Sequence, residues 1–420
     1  MMHKFTYFIL FFATFISRIV FKLISGYDNF QLFGDSVRYD ILSDRIINDD
    51  HNMDFTAFII SPLYPYTLAV FKWLFSENWQ TSAVIFQFFL VSLSTVYLTK
   101  IALLLFDKQV AIIAGVTYIF YPFTLYYNFT LSQETSFQAY FIISIYFLLK
   151  YLHLIQLKSL IISAIFFSLS FLTKSHALLY APFIAILIFF YSSTNYLNFI
   201  RAKHIMIYGF ICLLFTLPGG LANLNIHNKY TLSGMGAKTF FHNGNSQQNY
   251  DFVFNNVGLN NDDELAFIFD TNYIDFKYGA INKLPHVIKQ DYHFELALAW
   301  IKNNPNEFFR LKLYSLYRFF SPGVTNKHGT LKLIIGLIIS LPLFLASYFS
   351  IYFNLRNNFS KHTWIFFLQI SMLIFYIVFM PQTRFRVITL ESFYIIYFAF
   401  FATKLFSLSK NNQLAESLVK

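Results

Sequence analysis

Several ionisable residues of this chain stand where an apolar sequence makes charge costly. Asp35, Arg38 and Asp40 follow the first apolar run, Glu134 lies near the start of another, Lys174 and His176 separate two more, and Arg384 and Arg386 precede the last. A carboxylate beside a cation at an apolar surface suits a general base working next to an anionic lipid head. Gly34-Asp35-Ser36 reads as a turn opening a helix, with Asp35 or Ser36 as N-cap and Arg38, Tyr39 and Leu42 following at helical spacing. Arg384 and Arg386 flank Phe385, and two guanidinium forks favour phosphate recognition more than one lysine would.

Each has a plainer alternative. Asp35 fits an N-cap with a local ion pair. Glu134, after Ser132 and Gln133, fits a first-turn acid favoured by the helix dipole. Lys174 fits a snorkelling side chain, and the two arginines fit anchors on lipid phosphate. The acidic run Asn48 to Asp54 matches no standard cation loop and reads as solvated.

The elements that must hold these residues are set by composition. Of 420 residues, 56% are hydrophobic and 12% charged, and mean hydropathy is +0.51. Too little polar surface remains for a water-soluble globule, so the chain reads as an all-α polytopic membrane protein. The net charge of +10 is scattered between apolar runs, which argues against a nucleic-acid partner. A single cysteine, Cys212, leaves no disulfide framework and no Cys-based metal site.

A span needs about 20 apolar residues. Runs near that length fall at about 5–24, 81–106, 109–127, 130–151, 157–172, 177–196, 204–221, 331–353, 363–380 and 387–407, which predicts about ten transmembrane helices. His3, Lys4 and Phe5 to Ser17 resemble a signal peptide, but the run continues towards Ile24 without a clear cleavage site and reads as a retained first span. With the N-terminus inside, the inner turns collect Lys100, Lys108, Lys150, Lys158, Arg201, Lys203, Arg356 and Lys361. A further span at 59–75 would destroy that pattern, so this segment, with Pro62, Pro65 and Lys72, is expected outside as a juxtamembrane or re-entrant piece.

The whole of 1–420 is then a single membrane domain with two long outer loops, about 25–80 and 222–330. The second has Asn243-Gly244-Asn245 and a helical sequence from Lys289 to Phe320, whose part from Phe308 to Phe319 resembles a helix lying on the membrane surface. The charged residues singled out above share this outer side.

In that order and on that side, the motifs resemble the GT-C membrane glycosyltransferases of the family 39 and 83 type, the protein O-mannosyltransferases and lipid A aminoarabinose transferases. The resemblance rests on Gly34-Asp35-Ser36-Val37-Arg38-Tyr39, Ser61-Pro62-Leu63-Tyr64-Pro65, Tyr121-Pro122 through Leu131-Ser132-Gln133-Glu134, and Leu172-Thr173-Lys174 followed by Pro182. Asn243-Gly244-Asn245 and Arg384-Phe385-Arg386 complete it. It implies a GT-C-like bundle and a polyprenyl-phosphate sugar donor. It also implies an acceptor (lipid, glycan or protein) on the outer, periplasmic face of the plasma membrane, with inversion at the anomeric carbon. Asp35 would be the catalytic base, Arg38 a neighbour of the lipid phosphate, Glu134 a second acid, and Lys174, Arg384 and Arg386 donor contacts. Tyr39, Tyr64 and His176 would line the same substrate cavity. No cofactor is implied with certainty, and there is room for a divalent cation. Ser36 stands where many relatives have Glu, and Ile60-Ser61 where some have Lys-Pro. The short tail after the last run points away from the oligosaccharyltransferase branch.

Two other classes fit the composition. A transporter or flippase of lipid-linked glycans should place ionisable residues near the midplane, often in paired halves. A polymerase or ligase of surface polysaccharide should carry arginine-rich outer loops in place of an early Gly-Asp element.

Overall fold

The computed structural model describes residues 2, 4–25, 35–48, 61–190, 198–232, 236–255, 286–321 and 330–419. Among them there is no strand. With no water in hydrocarbon, helices satisfy their own backbone groups, and an apolar chain of this kind settles into them.

The first helix, α1, covers Lys4–Ser25, and α2 covers Asp35–Ile47. α3 (Leu63–Phe75) is joined through a 3-10 turn at Ser76–Asn78 to α4 (Trp79–Leu105). α5 (Lys108–Ile119) meets α6 (Pro122–Phe129) at a 49° bend, and α7 (Gln133–Leu154) and α8 (Leu157–Thr173) follow. A 3-10 segment, Ser175–Tyr180, leads into α9 (Ala181–Phe190), and α10 covers Asn198–His227. The second long connection contributes α11 (Ala237–Gly244), α12 (Gln247–Phe254), α13 (His286–Asn303) and α14 (Pro305–Phe320). The bundle closes with α15 (Thr330–Asn357), α16 (Phe359–Val378), the short α17 (Thr383–Arg386), a π-helical turn at Val387–Glu391, and α18 (Ser392–Val419).

The interior is built around α7 and α18. Phe137, Phe141 and Ile142 on α7, and Phe393, Tyr394, Ile395, Ile396 and Tyr397 on α18, are fully enclosed. Such aromatic residues bury large areas and account for much of the packing. α7 packs on α8 and α4, and α18 on α15 and α5, while α1 and α10 lie at the periphery.

Among the described residues, seven helices are long and apolar enough to cross a membrane, or eight if the bent α5–α6 pair is one span. The expected count of ten therefore stands at seven or eight by length and composition. The two expected spans that fall short are α8 and the Ser175–Phe190 piece, both apolar but brief. The 63–105 stretch is 43 residues of apolar helix, roughly twice what a bilayer needs. It does not cross as one rod: Ser76, at φ 44°, ends α3, and α3 folds back against α4 and α2. The sequence from Lys289 to Phe320 is broken at Asn304–Pro305 into α13 and α14. On α14, Leu311, Ser315, Arg318 and Phe319 turn into the protein while Phe309, Leu313, Leu316 and Phe320 remain exposed.

Candidate functional site

Four charged side chains from four separate elements converge. Asp35 opens α2, Glu134 is in the first turn of α7, Lys174 ends α8, and Arg384 lies on α17. Arg384 Nη1 donates to Asp35 Oδ2 at 2.7 Å and stands 3.8 Å from Glu134 Oε1. Lys174 Nζ donates to the same Glu134 oxygen at 2.6 Å. Two cations and two carboxylates thus balance one another, which such burial requires.

Their accessibility differs. The side chains of Glu134 and Lys174 are 3% and 4% exposed, whereas Asp35 keeps 36% and Arg384 19%. The arrangement therefore has an enclosed half and an open half, and Asp35 is the carboxylate that an incoming molecule can touch.

The helices hold this geometry by specific means. Lys72 on α3 bridges Asp40 and Asp44 of α2 at 2.6 Å each and lies over the Trp79 ring. Tyr39 and Tyr64 pack edge to face with centroids 5.1 Å apart. Tyr64 Oη donates to Gln87 Oε1, and Gln87 Nε2 donates to the Asn128 and Thr130 carbonyls ahead of α7. α2 is thereby fixed to α3, α3 to α4, and α4 to the segment carrying Glu134. On the other flank, Gln382 Oε1 accepts from Arg384 Nε at 2.6 Å, and Tyr376 Oη donates to the Gln382 carbonyl.

Burial alone would raise the Asp35 carboxyl, but the Arg384 guanidinium, with Lys174 and Arg38 farther off, outweighs it and holds the group below its usual value. Tyr39 is pushed well above the ordinary tyrosine value, first by burial and then by Asp35 and Glu134, so it stays a neutral phenol. His176 sits among the rings of Phe137, Phe375 and Phe385, with Nε2 buried and without a protein partner. The Phe385 ring is shared by the Lys174 ammonium at 4.9 Å and the Arg384 guanidinium at 5.4 Å.

Of the residues singled out in the sequence, Asp35, Tyr39, Glu134, Lys174, His176 and Arg384 come together. Arg38 is exposed one turn from Asp35, and Tyr64 is a buried strut beneath Tyr39. Arg386 lies elsewhere. Its Nε donates to Glu391 Oε1 at 2.8 Å, and its Nη1 donates to the Arg318, Phe319 and Ser321 carbonyls at the end of α14. A cation on the carbonyls of a helix C-terminus is favourable, and this one is fully buried. Tyr121 also donates to Glu391. The acidic run from Asn48 lies almost wholly outside the described residues. Among the described residues, no group of three or more His, Cys, Asp or Glu side chains is placed to hold a metal ion.

Two charged residues add to this picture. Glu391 stands inside the last apolar run, and Arg18, fully buried on α1, donates to Asn128 Oδ1 at 3.0 Å and to the Ile119 carbonyl at the α5–α6 bend. An ionisable residue within an apolar run is the signal that marks both.

Comparison with known proteins bears on what this geometry belongs to. Residues 60–220 match the family described as dolichyl-phosphate-mannose-protein mannosyltransferase, a stretch that contains Tyr64, Glu134, Lys174 and His176. No curated protein matches the sequence. Among solved structures, the oligosaccharyltransferase AglB of Archaeoglobus fulgidus, in complex with an inhibitory peptide and a dolichol-phosphate, is similar at a TM-score of 0.57 and 15% identity. That match covers 99% of this chain and 52% of AglB. The Archaeoglobus fulgidus oligosaccharyltransferase in its apo form gives 0.59 and 14%, with the same coverage. The form tethered to an acceptor peptide containing the NVT sequon gives 0.56 and 15%, covering 96% of this chain and 50% of the other. The chain spans about half the length of these structures. Its fold is GT-C-like, and the likeness to the mannosyltransferase family is confined to residues 60–220.

Proposed function

We propose that this protein is an integral membrane glycosyltransferase that takes a sugar from a polyprenyl-phosphate donor and transfers it, with inversion, to an acceptor hydroxyl at the outer face of the plasma membrane. The observation that carries the reading is the half-open charge cluster, in which Asp35 is ionised and reachable while Glu134 and Lys174 are enclosed beside it. The likeness to a dolichyl-phosphate-mannose family, and to a fold-mate solved with a dolichol-phosphate, supports the donor class.

In the proposed reaction, Asp35 accepts the proton of the acceptor hydroxyl as its oxygen bonds to the anomeric carbon. The bond from that carbon to the phosphate oxygen breaks on the opposite side, and polyprenyl phosphate leaves with the electron pair. Arg384 keeps Asp35 ionised before attack, and Arg384 and Arg38 face the charge that develops on the phosphate, where fixed cations act most strongly. Glu134 holds Lys174 and orients Arg384. Tyr39 and His176, both uncharged, wall the sugar site. Arg386 orders the backbone around α17 and makes no donor contact. The outer face is supported by the inner turns of the expected topology, which gather lysines and arginines.

The reading is tested by supplying proteoliposomes with radiolabelled polyprenyl-phosphate sugars and following the label. Transfer to an acceptor, or release of free sugar, supports it. Donor that crosses the bilayer unconsumed would make the protein a flippase.

A further inference from the structure

The end of α11 presses on the backbone that leads into the site. Asn243, Gly244 and Asn245 are all buried. A Cβ on Gly244 would stand 2.6 Å from the Phe379 carbonyl carbon and 2.7 Å from the Met380 nitrogen. Both obstacles are main chain, which cannot swing aside as a side chain can, so only glycine fits this approach without a shift. Beside it, Asn245 Nδ2 donates to the Val378 carbonyl at 3.0 Å and to the Phe241 carbonyl at 2.6 Å. Val378 is the last residue of α16, and its carbonyl is one that the helix leaves unpaired.

The chain from that contact to the site is short. Phe379 and Met380 lead to Gln382, whose Nε2 approaches Met380 Sδ at 3.7 Å and whose Oε1 holds Arg384 Nε. Arg384 then reaches Asp35. The surface that seats α11 and the group that holds the guanidinium are thus a few residues apart on one irregular stretch between α16 and α17.

We infer that Gly244 and Asn245 are positioning residues: by seating the large outer loop on Val378–Met380 they fix where Arg384 presents its guanidinium. This rests on the proposed role of Arg384 toward the donor phosphate. It makes Gly244 and Asn245 part of the support of the donor site, acting through Arg384.

The test is a double-mutant cycle on the affinity for dolichyl phosphate, the portion common to donors of this class, measured in proteoliposomes for wild type, Arg384→Lys, Gly244→Ala, Asn245→Ala and the combined variants. Arg384→Lys should weaken binding roughly tenfold, as loss of a charge-assisted hydrogen bond does. Gly244→Ala should weaken it by a similar factor, and the two together should be little worse than Arg384→Lys alone, because residues acting through one group are not additive. Unchanged affinity in Gly244→Ala, or full additivity with Arg384→Lys, would overturn the inference. Where Gly244→Ala fails to accumulate as folded protein, Asn245→Ala decides in the same cycle by the same criteria. Wild-type affinity in Arg384→Lys would instead overturn the role of Arg384 itself, a result separate from any behaviour of Gly244.

Discussion

Arg384 and Asp35, 349 positions apart in the chain, are held with Nη1 and Oδ2 2.7 Å from one another, and the same guanidinium stands 3.8 Å from Glu134. One cation thus addresses two carboxylates, of which only Asp35 is open to an incoming group.

That relationship sets a pH dependence. A base must be ionised to act, and Arg384 holds the Asp35 carboxyl below its ordinary value against the opposing effect of burial. Activity should therefore persist to lower pH than an ordinary carboxylate would allow. In Arg384→Gln burial is opposed only by the more distant Lys174 and Arg38, and the acid limb of the rate profile should move up. A profile unmoved by the substitution would show that Asp35 is not the titrating base.

The enclosed half of the cluster should respond in stability. Removing one partner of a buried ion pair leaves the other uncompensated, at a cost of about 3–5 kcal/mol. Glu134→Gln and Lys174→Gln should each lower the unfolding free energy in detergent by that order, and the double variant should lose less than the sum. Additive losses would mean that the two groups, 2.6 Å apart, do not act as a pair.

Arg386 should behave unlike Arg384 despite lying two residues away. Its partners are Glu391 and three carbonyls at the end of α14, so Arg386→Gln should destabilise the protein by about 3–5 kcal/mol. Donor affinity of the folded fraction should stay near wild type. A specific loss of donor affinity with stability intact would return Arg386 to the donor site.

The large loop carries its own pH sensitivity. His242 and His293 face one another with their Nδ1 atoms 3.1 Å apart, and burial, with His293 adding to it, pushes His242 down to about 3. Below the ordinary value near 6.5 the unfolded loop takes up a proton that the folded one does not, so stability is full near neutrality and falls with pH from about 6.5 towards 3. Protection factors in α11, taken against the intrinsic exchange rate at each pH, should therefore fall between pH 6.5 and 5, by up to about 2 kcal/mol. His242→Phe should remove that dependence; retention of it would place the titrating group elsewhere.

The members of the charge cluster were legible in the residues. Asp35, Glu134, Lys174 and Arg384 betray themselves because each is a charge at the edge of an apolar run, where a structural role demands a partner. What sequence could not supply was which of them meet, since Asp35 and Arg384 come together only through the packing of α2 on α3 and of α17 on the bundle. Arg386 shows the limit most clearly. Beside Arg384 and Phe385 it reads as the second half of a phosphate clamp, yet helical rotation and the π turn at Val387–Glu391 direct it to Glu391, five residues on. Span counting met a different limit: α8 and α9 are apolar but short, so length alone leaves them below the threshold that the other spans pass.

The most direct test of the account is the rate of sugar transfer from a polyprenyl-phosphate donor in proteoliposomes by Asp35→Asn, compared with wild type at equal amounts of inserted protein. The amide keeps the shape and cannot take the acceptor's proton, so the account predicts a loss of roughly 10²–10⁴-fold with insertion and dolichyl phosphate binding retained. Transfer at the wild-type rate would contradict it, and the base would have to be sought elsewhere.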